Sequence, residues 1–471
     1  MIKFGTGGWR AIIGDDFIKS NIQRVAAAVA RKMKDENATE NGFVIGYDRR
    51  FLSVEATQWI SEVMAAEGIH CRVIDKEAPT PLIMFTVNYF KTKYGMAVTA
   101  SHNPATYNGI KVFTEGGRDA TEDVTRSIEQ YIEAVRPEDI RTIHYKDALS
   151  LGLVEEIDSQ NIYVDSILKS VNVEAIRERH LKVALDPMFG VSTRSMQTVL
   201  MTMRCDADTI HYQHDTLFGG RLPAPTEETL FDLKNYVLEH GMDIGIATDG
   251  DADRLGIIDE RGRYISANQI LTVLYYYLLK YKGWHGAAVR NLATTHILDK
   301  IAKAYGETCY EVPVGFKYIS AKMNETDAII GGESSGGLTV RGHIQGKDGI
   351  YAASLMLEML AVTGKPLSGV IKEMEQTFGK TYNVEANCTF DAERKPELLH
   401  ILFEERKLPD FGKEIVRIGY EDGCKVYFKD DEWIIIRFSG TEPLLRVFCE
   451  VNDSKADANR LVEKVKEFLK L

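Results

Sequence analysis

The sequence predicts an α/β fold in which one unit, made of a strand, a loop and a helix, occurs three times. Apolar strand segments begin at Phe43, Leu181 and Gly286, and apolar residues at helical spacing follow each of them. Each unit then continues into a strand–loop–strand segment with a polar loop. We therefore expect three similar α/β domains with mixed sheets between helices, each offering one polar loop to a shared centre.

The helix of each unit is predicted from apolar residues three and four positions apart. In chain order these positions are 56, 59, 60, 63 and 64; 196, 199, 200 and 203; and 298, 301, 302 and 305. Beyond Gly379 the elements become shorter and more charged. They end in strands over 432–436 and 446–451 and a helix from Ala456.

Composition restricts the class of protein. A chain of 471 residues is longer than the length at which a single hydrophobic core stops growing, so about two to four domains are expected. The net charge of −12 argues against binding nucleic acid or acidic membranes, and no apolar run is long enough to span a bilayer. Six scattered cysteines without a C-x-x-C pair, and an N-terminus without a signal-peptide pattern, predict a reduced cytoplasmic location.

The first polar loop is Thr99-Ala-Ser-His-Asn-Pro104, directly after the apolar strand over 95–98. It places the hydroxyl of Ser101 beside the imidazole of His102, and the following Asn-Pro pair favours a turn. Ser101 is therefore a candidate nucleophile. The alternative is an ordinary turn whose side chains satisfy only their own backbone.

The second polar loop is Asp249-Gly-Asp-Ala-Asp-Arg254, which offers three carboxylates at alternating positions. Hard oxygen ligands of this kind suit a divalent cation, and Mg²⁺ is favoured beside phosphate. A calcium-binding EF-hand is excluded, because Arg254 stands where that loop needs glycine and the flanking segments have the pattern of strands. A solvated acidic turn is the remaining alternative.

Two further loops contain groups suited to sugars and phosphates, Gly331-Gly-Glu-Ser-Ser-Gly336 and Arg437-Phe-Ser-Gly-Thr-Glu-Pro443. In the second, small residues allow backbone amides and hydroxyls to surround an anion, which an arginine can bind with two donors. A β-turn with incidental arginines is the alternative there. A serine nucleophile, a hard-metal site and an anion-binding turn in one chain indicate phosphoryl transfer.

These loops, in this order and with Phe4-Gly-Thr-Gly-Gly-Trp-Arg10 before them, resemble the α-D-phosphohexomutase family, which includes phosphoglucomutases and phosphomannomutases. The resemblance implies four domains, the last a smaller α+β domain that moves as a lid. We expect them at 1–145, 146–256, 257–377 and 378–471. It also implies Mg²⁺-dependent interconversion of hexose 1-phosphate and hexose 6-phosphate, with glucose favoured, through a phosphoserine and a hexose 1,6-bisphosphate. The expected partners are small sugar phosphates.

The resemblance also assigns roles to single residues. Ser101 carries the phosphoryl group and completes the metal site of Asp249, Asp251 and Asp253. Arg10, Lys111 and Lys317 match catalytic positions, and His102, Lys317 and His343 are the candidates for proton transfer. The expected substrate-binding residues are Arg254, Glu333, Ser335, His343, Arg437, Ser439, Gly440, Thr441 and Arg446.

Some alternatives stay open at this stage. Dual-specificity relatives often have a histidine two residues after the sugar-loop serine, where this chain has Gly337, which weakens the case for mannose. A hexose 1,6-bisphosphate synthase fits the same motifs. An amino-sugar mutase is less favoured, because Ser334 stands where that branch usually has glutamine. A calcium- or sugar-binding module without activity is disfavoured by Arg254 and the intact serine loop. The oligomeric state is left open.

Overall fold

The structure is a computed structural model that describes residues 2–5, 8–439 and 443–471. Within these residues the chain forms four β-sheets, one for each of four successive regions. The first three regions place helices around sheets with parallel strands, and the last has an antiparallel sheet. The predicted fold class is confirmed.

The first sheet has the strand order β1-β5-β4-β2-β3-β7, with β6 paired to β5. Strands β2, β3 and β4 are parallel, whereas β5 is antiparallel to β4, so the sheet is mixed. Ser101 lies in the connection between β4 and β5. The elements are β1 Trp9–Ile12, α1 Lys19–Asp35, β2 Phe43–Tyr47, α2 Ser53–Ala66, β3 Cys71–Ile74, α3 Thr80–Tyr89, β4 Tyr94–Val98, β5 Tyr107–Thr114, β6 Arg118–Asp119, α4 Glu122–Ala134, α5 Tyr145–Ser150 and β7 Val154–Ile157.

The second sheet has the order β12-β11-β10-β8-β9. Strands β9, β8 and β10 are parallel and β11 is antiparallel, so the acidic loop joins two antiparallel strands that are buried along their length. The strands predicted on both sides of that loop are confirmed. The elements are α6 Gln160–Ser170, α7 Val173–Arg179, β8 Lys182–Asp186, α8 Ser192–Thr202, β9 Asp206–Thr209, α9 Phe231–His240, β10 Ile244–Thr248, β11 Leu255–Asp259 and β12 Tyr264–Ile265.

In the third region β13 pairs in parallel with β14 and with β15. The strand predicted over 286–289 is observed at Ala288–Asn291, because Arg290 continues it and is neutralised by Asp299 and Glu311 at 2.7 and 2.5 Å. The elements are α10 Ala267–Lys280, β13 Ala288–Asn291, α11 Ile297–Ala304, β14 Cys309–Val312, α12 Phe316–Thr326, β15 Ile330–Gly332, β16 Leu338–Val340, α13 Gly349–Thr363 and α14 Leu367–Phe378.

The fourth sheet has the order β17-β21-β20-β19-β18 and every pairing in it is antiparallel. Helix α16 packs on β21 and β17, which gives the smaller α+β arrangement expected at this end of the chain. The elements are β17 Tyr382–Thr389, α15 Lys395–Leu399, β18 Ile415–Gly419, β19 Cys424–Phe428, β20 Trp433–Phe438, β21 Leu444–Val451 and α16 Lys455–Leu469.

The chain divides into two compact units. The first is Met1–Ile270 with Ser335–Val370, and it contains the serine loop and the acidic loop. The second is Leu271–Ser334 with Ile371–Leu471. In the described part of the chain, no single helix is long and apolar enough to cross a membrane. One bent pair, α13 with α14, passes that test together, and α13 is largely buried in the fold.

Candidate active site

Ser101 lies in a buried turn directly beyond β4, and its backbone has a φ of 53°. This left-handed conformation is strained for a residue with a side chain, so the surroundings must hold it. The Ser101 hydroxyl donates a hydrogen bond to Asp249 Oδ2 at 2.9 Å and lies 3.2 Å from His102 Nδ1. The structure therefore joins the serine loop of the first sheet to the acidic loop of the second.

His102 is the basic group nearest to that hydroxyl. Burial lowers its pKa, and the nearby charges of Arg254 and Arg10 lower it further, so the imidazole is neutral. Arg254 Nη2 lies 3.5 Å from His102 Nε2. One assignment of protons satisfies all of these contacts: Arg254 donates to Nε2, Nδ1–H donates to Ser101, and Ser101 donates to Asp249.

Asp249, Asp251 and Asp253 are fully buried, and one oxygen from each lies within 4.8 Å of the others. The backbone amides of Asp253 and Arg254 both donate to Asp249 Oδ1 at 3.0 Å, which curls the loop around that carboxylate. The Thr80 hydroxyl donates to Asp251 Oδ2 at 2.7 Å. The loop is thus a folded cluster of carboxylates, and the alternative of a solvated acidic turn is wrong.

Lys111, from β5, provides the positive charge closest to this cluster. Its Nζ donates to Asp251 Oδ2 at 2.6 Å and to Asp253 Oδ2 at 2.8 Å, with the side chain almost completely buried. Burial alone would lower the pKa of Lys111, but the two carboxylates raise it overall. In the same way, burial opposes ionisation of Asp251 and Asp253, and Lys111 nevertheless lowers the pKa of each.

The carboxylates retain unused acceptor capacity that fits a hard cation. Oδ1 of Asp251 and Oδ1 of Asp253 are buried without a hydrogen-bond partner. Burial, together with the neighbouring charges of Asp251 and Asp253, raises the pKa of Asp249 well above its usual value. Buried carboxylate oxygens without donors are costly unless a cation pairs with them. This donor set is suited to a hard divalent ion such as Mg²⁺.

Lys347 is a residue that the sequence analysis did not identify. Its Nζ lies 2.9 Å from Asp253 Oδ2, and its side chain crosses the backbone of Gly337. A Cβ atom built on Gly337 would lie 2.2 Å from Cδ of Lys347. Lys347 therefore occupies the space of a side chain at position 337, where related sequences often have histidine. The missing histidine was the only signal in the sequence for this arrangement.

The sugar loop follows β15. Asn291, at the end of the neighbouring β13, donates through Nδ2 to Glu333 Oε1 at 3.1 Å and so orients the carboxylate. The Thr294 hydroxyl accepts from the amide of Ser334 at 3.2 Å. Glu333 is half-buried and Ser335 is exposed, so neither residue belongs to the hydrophobic core.

The predicted phosphate loop connects β20 and β21. Arg437 and Arg446 are directly opposite each other on these strands, and like charges in this position repel unless an anion or a carboxylate lies near them. Arg437 Nη2 donates to both oxygens of Asp422 at 2.9 Å. Ser439 N donates to Leu444 O at 2.8 Å, which closes the turn. Gly440 and Thr441 lie outside the described residues.

The remaining predicted residues have different environments. The Arg10 side chain reaches solvent from β1. Local desolvation and Arg254 lower its pKa, whereas Asp251 and Asp253 oppose that shift. The Lys317 ammonium lies 5.0 Å from the ring of Tyr318 in the first turn of α12.

The structure places His343 deep in the fold rather than at an accessible surface. Its Nε2 lies 2.7 Å from Asp348 Oδ2, and Tyr163 donates to the same oxygen at 2.7 Å. The His343 side chain is 1% exposed, so this contact favours a role in holding the start of α13.

Comparisons with known proteins agree with this geometry. Four family models match in chain order, described as Phosphoglucomutase/phosphomannomutase alpha/beta/alpha domain I at 1–139, domain II at 161–262, domain III at 266–378, and C-terminal domain at 385–468. Each of the four sheets therefore lies mainly in the region matched by one domain of this family.

Whole-length relatives give the same result. A phosphoglucomutase/phosphomannomutase of Thermococcus kodakarensis is 30% identical over 99% of this chain and 97% of its own length. A phosphoglucosamine/phosphogalactosamine mutase of Sulfurisphaera tokodaii is 28% identical over 99% and 98%. A crystal structure from Thermus thermophilus, provisionally named a phosphomannomutase, is 27% identical and superposes over 100% of this chain and 99% of its own with a TM-score of 0.86. The chain belongs to the α-D-phosphohexomutase family and is a phosphohexomutase, an intramolecular phosphotransferase.

Proposed function

We propose that this phosphohexomutase interconverts glucose 1-phosphate and glucose 6-phosphate through a phosphoserine at Ser101 and a glucose 1,6-bisphosphate intermediate. The observation that carries the proposal is the 2.9 Å hydrogen bond from the Ser101 hydroxyl to Asp249, beside two carboxylates with unpartnered buried oxygens. A serine oxygen beside buried carboxylates that suit a cation supports the proposal, because transfer of a dianionic phosphoryl group needs both a nucleophile and a nearby positive charge.

Asp249, Asp251 and Asp253 would hold Mg²⁺, with the phosphorylated Ser101 as a further ligand. When bound, the ion would neutralise negative charge on the phosphoryl group during transfer. Lys111 keeps two of the carboxylates ionised and adds a fixed positive charge. His102 and Arg254 complete a cationic and hydrogen-bonding surface around the serine.

In the first half-reaction, a free sugar hydroxyl attacks the phosphorus of phosphoserine 101. A new bond forms between the sugar oxygen and phosphorus while the bond from Ser101 Oγ breaks. The hydroxyl proton passes to a base, and the leaving Ser101 Oγ takes up a proton to become the free hydroxyl. We infer that Lys347 is a candidate for proton transfer beside His102, because its amine can pass its own proton to Asp253, 2.9 Å away, as it accepts the proton of the sugar hydroxyl. The bisphosphate then turns around and returns its other phosphoryl group to Ser101.

For the substrate to bind in both orientations, one site must hold the sugar hydroxyls and another the phosphate that does not react. Glu333 and Ser335 are proposed for the ring hydroxyls, and Arg437, Ser439, Gly440, Thr441 and Arg446 for the phosphate. The opposed pair Arg437 and Arg446 supports the second assignment, because an anion would relieve their repulsion. Arg10 and Lys317 remain proposed site residues, whereas His343 is proposed to hold the start of α13 through Asp348.

Glucose is proposed over mannose because Gly337 and Lys347 replace the histidine that dual-specificity relatives often carry. An amino-sugar phosphate is the second candidate, since relatives such as the Sulfurisphaera tokodaii enzyme are named for that activity. A panel of glucose, mannose and glucosamine 1-phosphates, each with and without glucose 1,6-bisphosphate, tests the choice. We expect the highest kcat/KM with glucose 1-phosphate. A higher value with glucosamine 1-phosphate would reject glucose and favour the second candidate.

A further inference from the structure

Arg50, three residues beyond the end of β2, packs against the serine loop. Its side chain is completely buried. Nη1 donates to the backbone carbonyls of Pro104 and Tyr107 at 2.8 and 2.9 Å, and Nη2 donates to those of Ser101 and Asn103, both at 2.7 Å. One guanidinium therefore satisfies four carbonyl oxygens, three in the turn between β4 and β5 and the fourth on Tyr107, the first residue of β5.

Asp48 connects the same guanidinium to the amide side of the turn. Arg50 Nε lies 3.2 Å from Asp48 Oδ2, and that oxygen also accepts a hydrogen bond from the Thr99 hydroxyl at 2.6 Å. The Thr99 hydroxyl in turn accepts from the backbone N–H of Ser101 at 2.8 Å. Both backbone polar groups of Ser101 are thus held, the carbonyl by Arg50 directly and the amide through Thr99.

Two residues from the region of the second sheet pack against Arg50 and the Ser101 carbonyl. The Arg50 guanidinium lies 4.9 Å from the ring centre of Phe218. On the other side, a Cβ atom built on Gly250 would lie 2.7 Å from the Ser101 carbonyl oxygen, so the acidic loop packs directly against it. The Ser101 carbonyl is therefore confined between Arg50 and the loop that carries Asp249.

We propose that Arg50 is a positioning residue for phosphoryl transfer: it holds Ser101 in its left-handed conformation so that Oγ faces Asp249. This role rests on the proposed function of Ser101. A guanidinium suits it because its planar fork serves several acceptors in fixed directions, whereas a lysine amine has three donors at one point. Arg50 acts on the backbone and needs no contact with the sugar.

The test compares R50K with the matched variant R49K. Arg49 is the adjacent arginine and is also mostly buried, but it donates to the carbonyls of Phe189, Tyr212 and Gln213 and not to the serine loop. Rapid-quench phosphorylation of Ser101 by glucose 1,6-bisphosphate gives a single-turnover rate and a half-saturating concentration for each protein. A thermal melt reports the loss of stability.

We expect R50K to phosphorylate about 100-fold more slowly, as for a catalytic group displaced by an ångström, with half-saturation within about threefold of wild type. R49K should melt at a lower temperature and keep the wild-type rate. A wild-type rate in R50K, an equal loss in R49K, or a change confined to half-saturation would overturn the role of Arg50. If R50K is insoluble, the same measurement is made on T99V. A tenfold or greater loss of the phosphorylation rate supports the positioning role of Arg50, and a wild-type rate overturns it.

The same experiment separates this role from the proposed function. Wild-type protein that acquires no phosphoserine would overturn the function of Ser101 and the role of Arg50 together. Phosphorylated wild-type protein with an equally fast R50K would overturn the role of Arg50 alone.

Discussion

Replacing Lys111 by methionine should destabilise the magnesium-free protein strongly. The Lys111 amine is 6% exposed and contacts both Asp251 and Asp253, at 2.6 and 2.8 Å. Removing it leaves two buried carboxylates without their principal counter-charge, and breaking a buried ion pair costs about 3–5 kcal/mol. We therefore expect the free energy of unfolding in the presence of a chelator to fall by about that amount.

The matched control is Lys93→Met, at the residue before β4 of the same sheet. Lys93 pairs with Glu115 at 2.8 Å, but the two side chains are 46% and 65% exposed. A surface pair of this kind is worth about 1 kcal/mol or less. The free energy of unfolding of both variants is measured by urea unfolding, with circular dichroism as the signal. The reasoning is refuted if K111M loses no more stability than K93M.

Added Mg²⁺ provides a second readout on the same proteins. A cation bound by the carboxylates stabilises the folded state by about 2.7 kcal/mol at a hundred times its Kd. At one fixed Mg²⁺ concentration the gain should be larger in K111M than in wild type, because the variant's carboxylates have lost a competing positive charge and bind the ion with a lower Kd. An equal or smaller gain would mean that the ion binds elsewhere.

The remaining predictions concern catalysis. D251N should raise the Mg²⁺ concentration for half-maximal activity, and an unchanged requirement in a magnesium titration would contradict the ion's placement. R437A should lower kcat/KM in both reaction directions, by an amount that corresponds to a loss of about 2–4 kcal/mol of transition-state stabilisation. A lower kcat/KM in one direction only would mean that two anion sites exist. K347M should lower kcat about 10²–10⁴-fold with little change in KM if its amine transfers protons, and a pure KM effect would exclude that role.

The sequence predicted the repeated units and the loops because each depends on local pattern. Strands such as Tyr94–Val98 and Ile244–Thr248 are apolar runs that end in polar turns. In each of the two sheets the strand after the turn is antiparallel to the strand before it, so the turn lies at the end of that strand pair. The acidic loop could be interpreted as a cation site because its three carboxylates are two residues apart.

Residues that act across the fold could not be found in this way. Lys347 is ten positions from Gly337 and meets Asp253 only after folding, so neither spacing nor composition points to it. Arg50 belongs to an Arg-Arg pair typical of a surface, and its burial depends on carbonyl groups that carry no sequence signal. The pairing of Arg437 with Asp422 likewise joins β20 to the turn between β18 and β19.

The phosphorylation state of Ser101 tests the central claim most directly. The purified chain is incubated with glucose 1,6-bisphosphate and magnesium, and intact-protein and peptide mass spectrometry then count and locate phosphoryl groups in wild type and S101A. The proposed mechanism predicts one phosphoryl group on Ser101, its loss on addition of glucose 1-phosphate or glucose 6-phosphate, and no label or mutase turnover in S101A. Wild-type turnover in S101A, or a stable label on another residue, would contradict it.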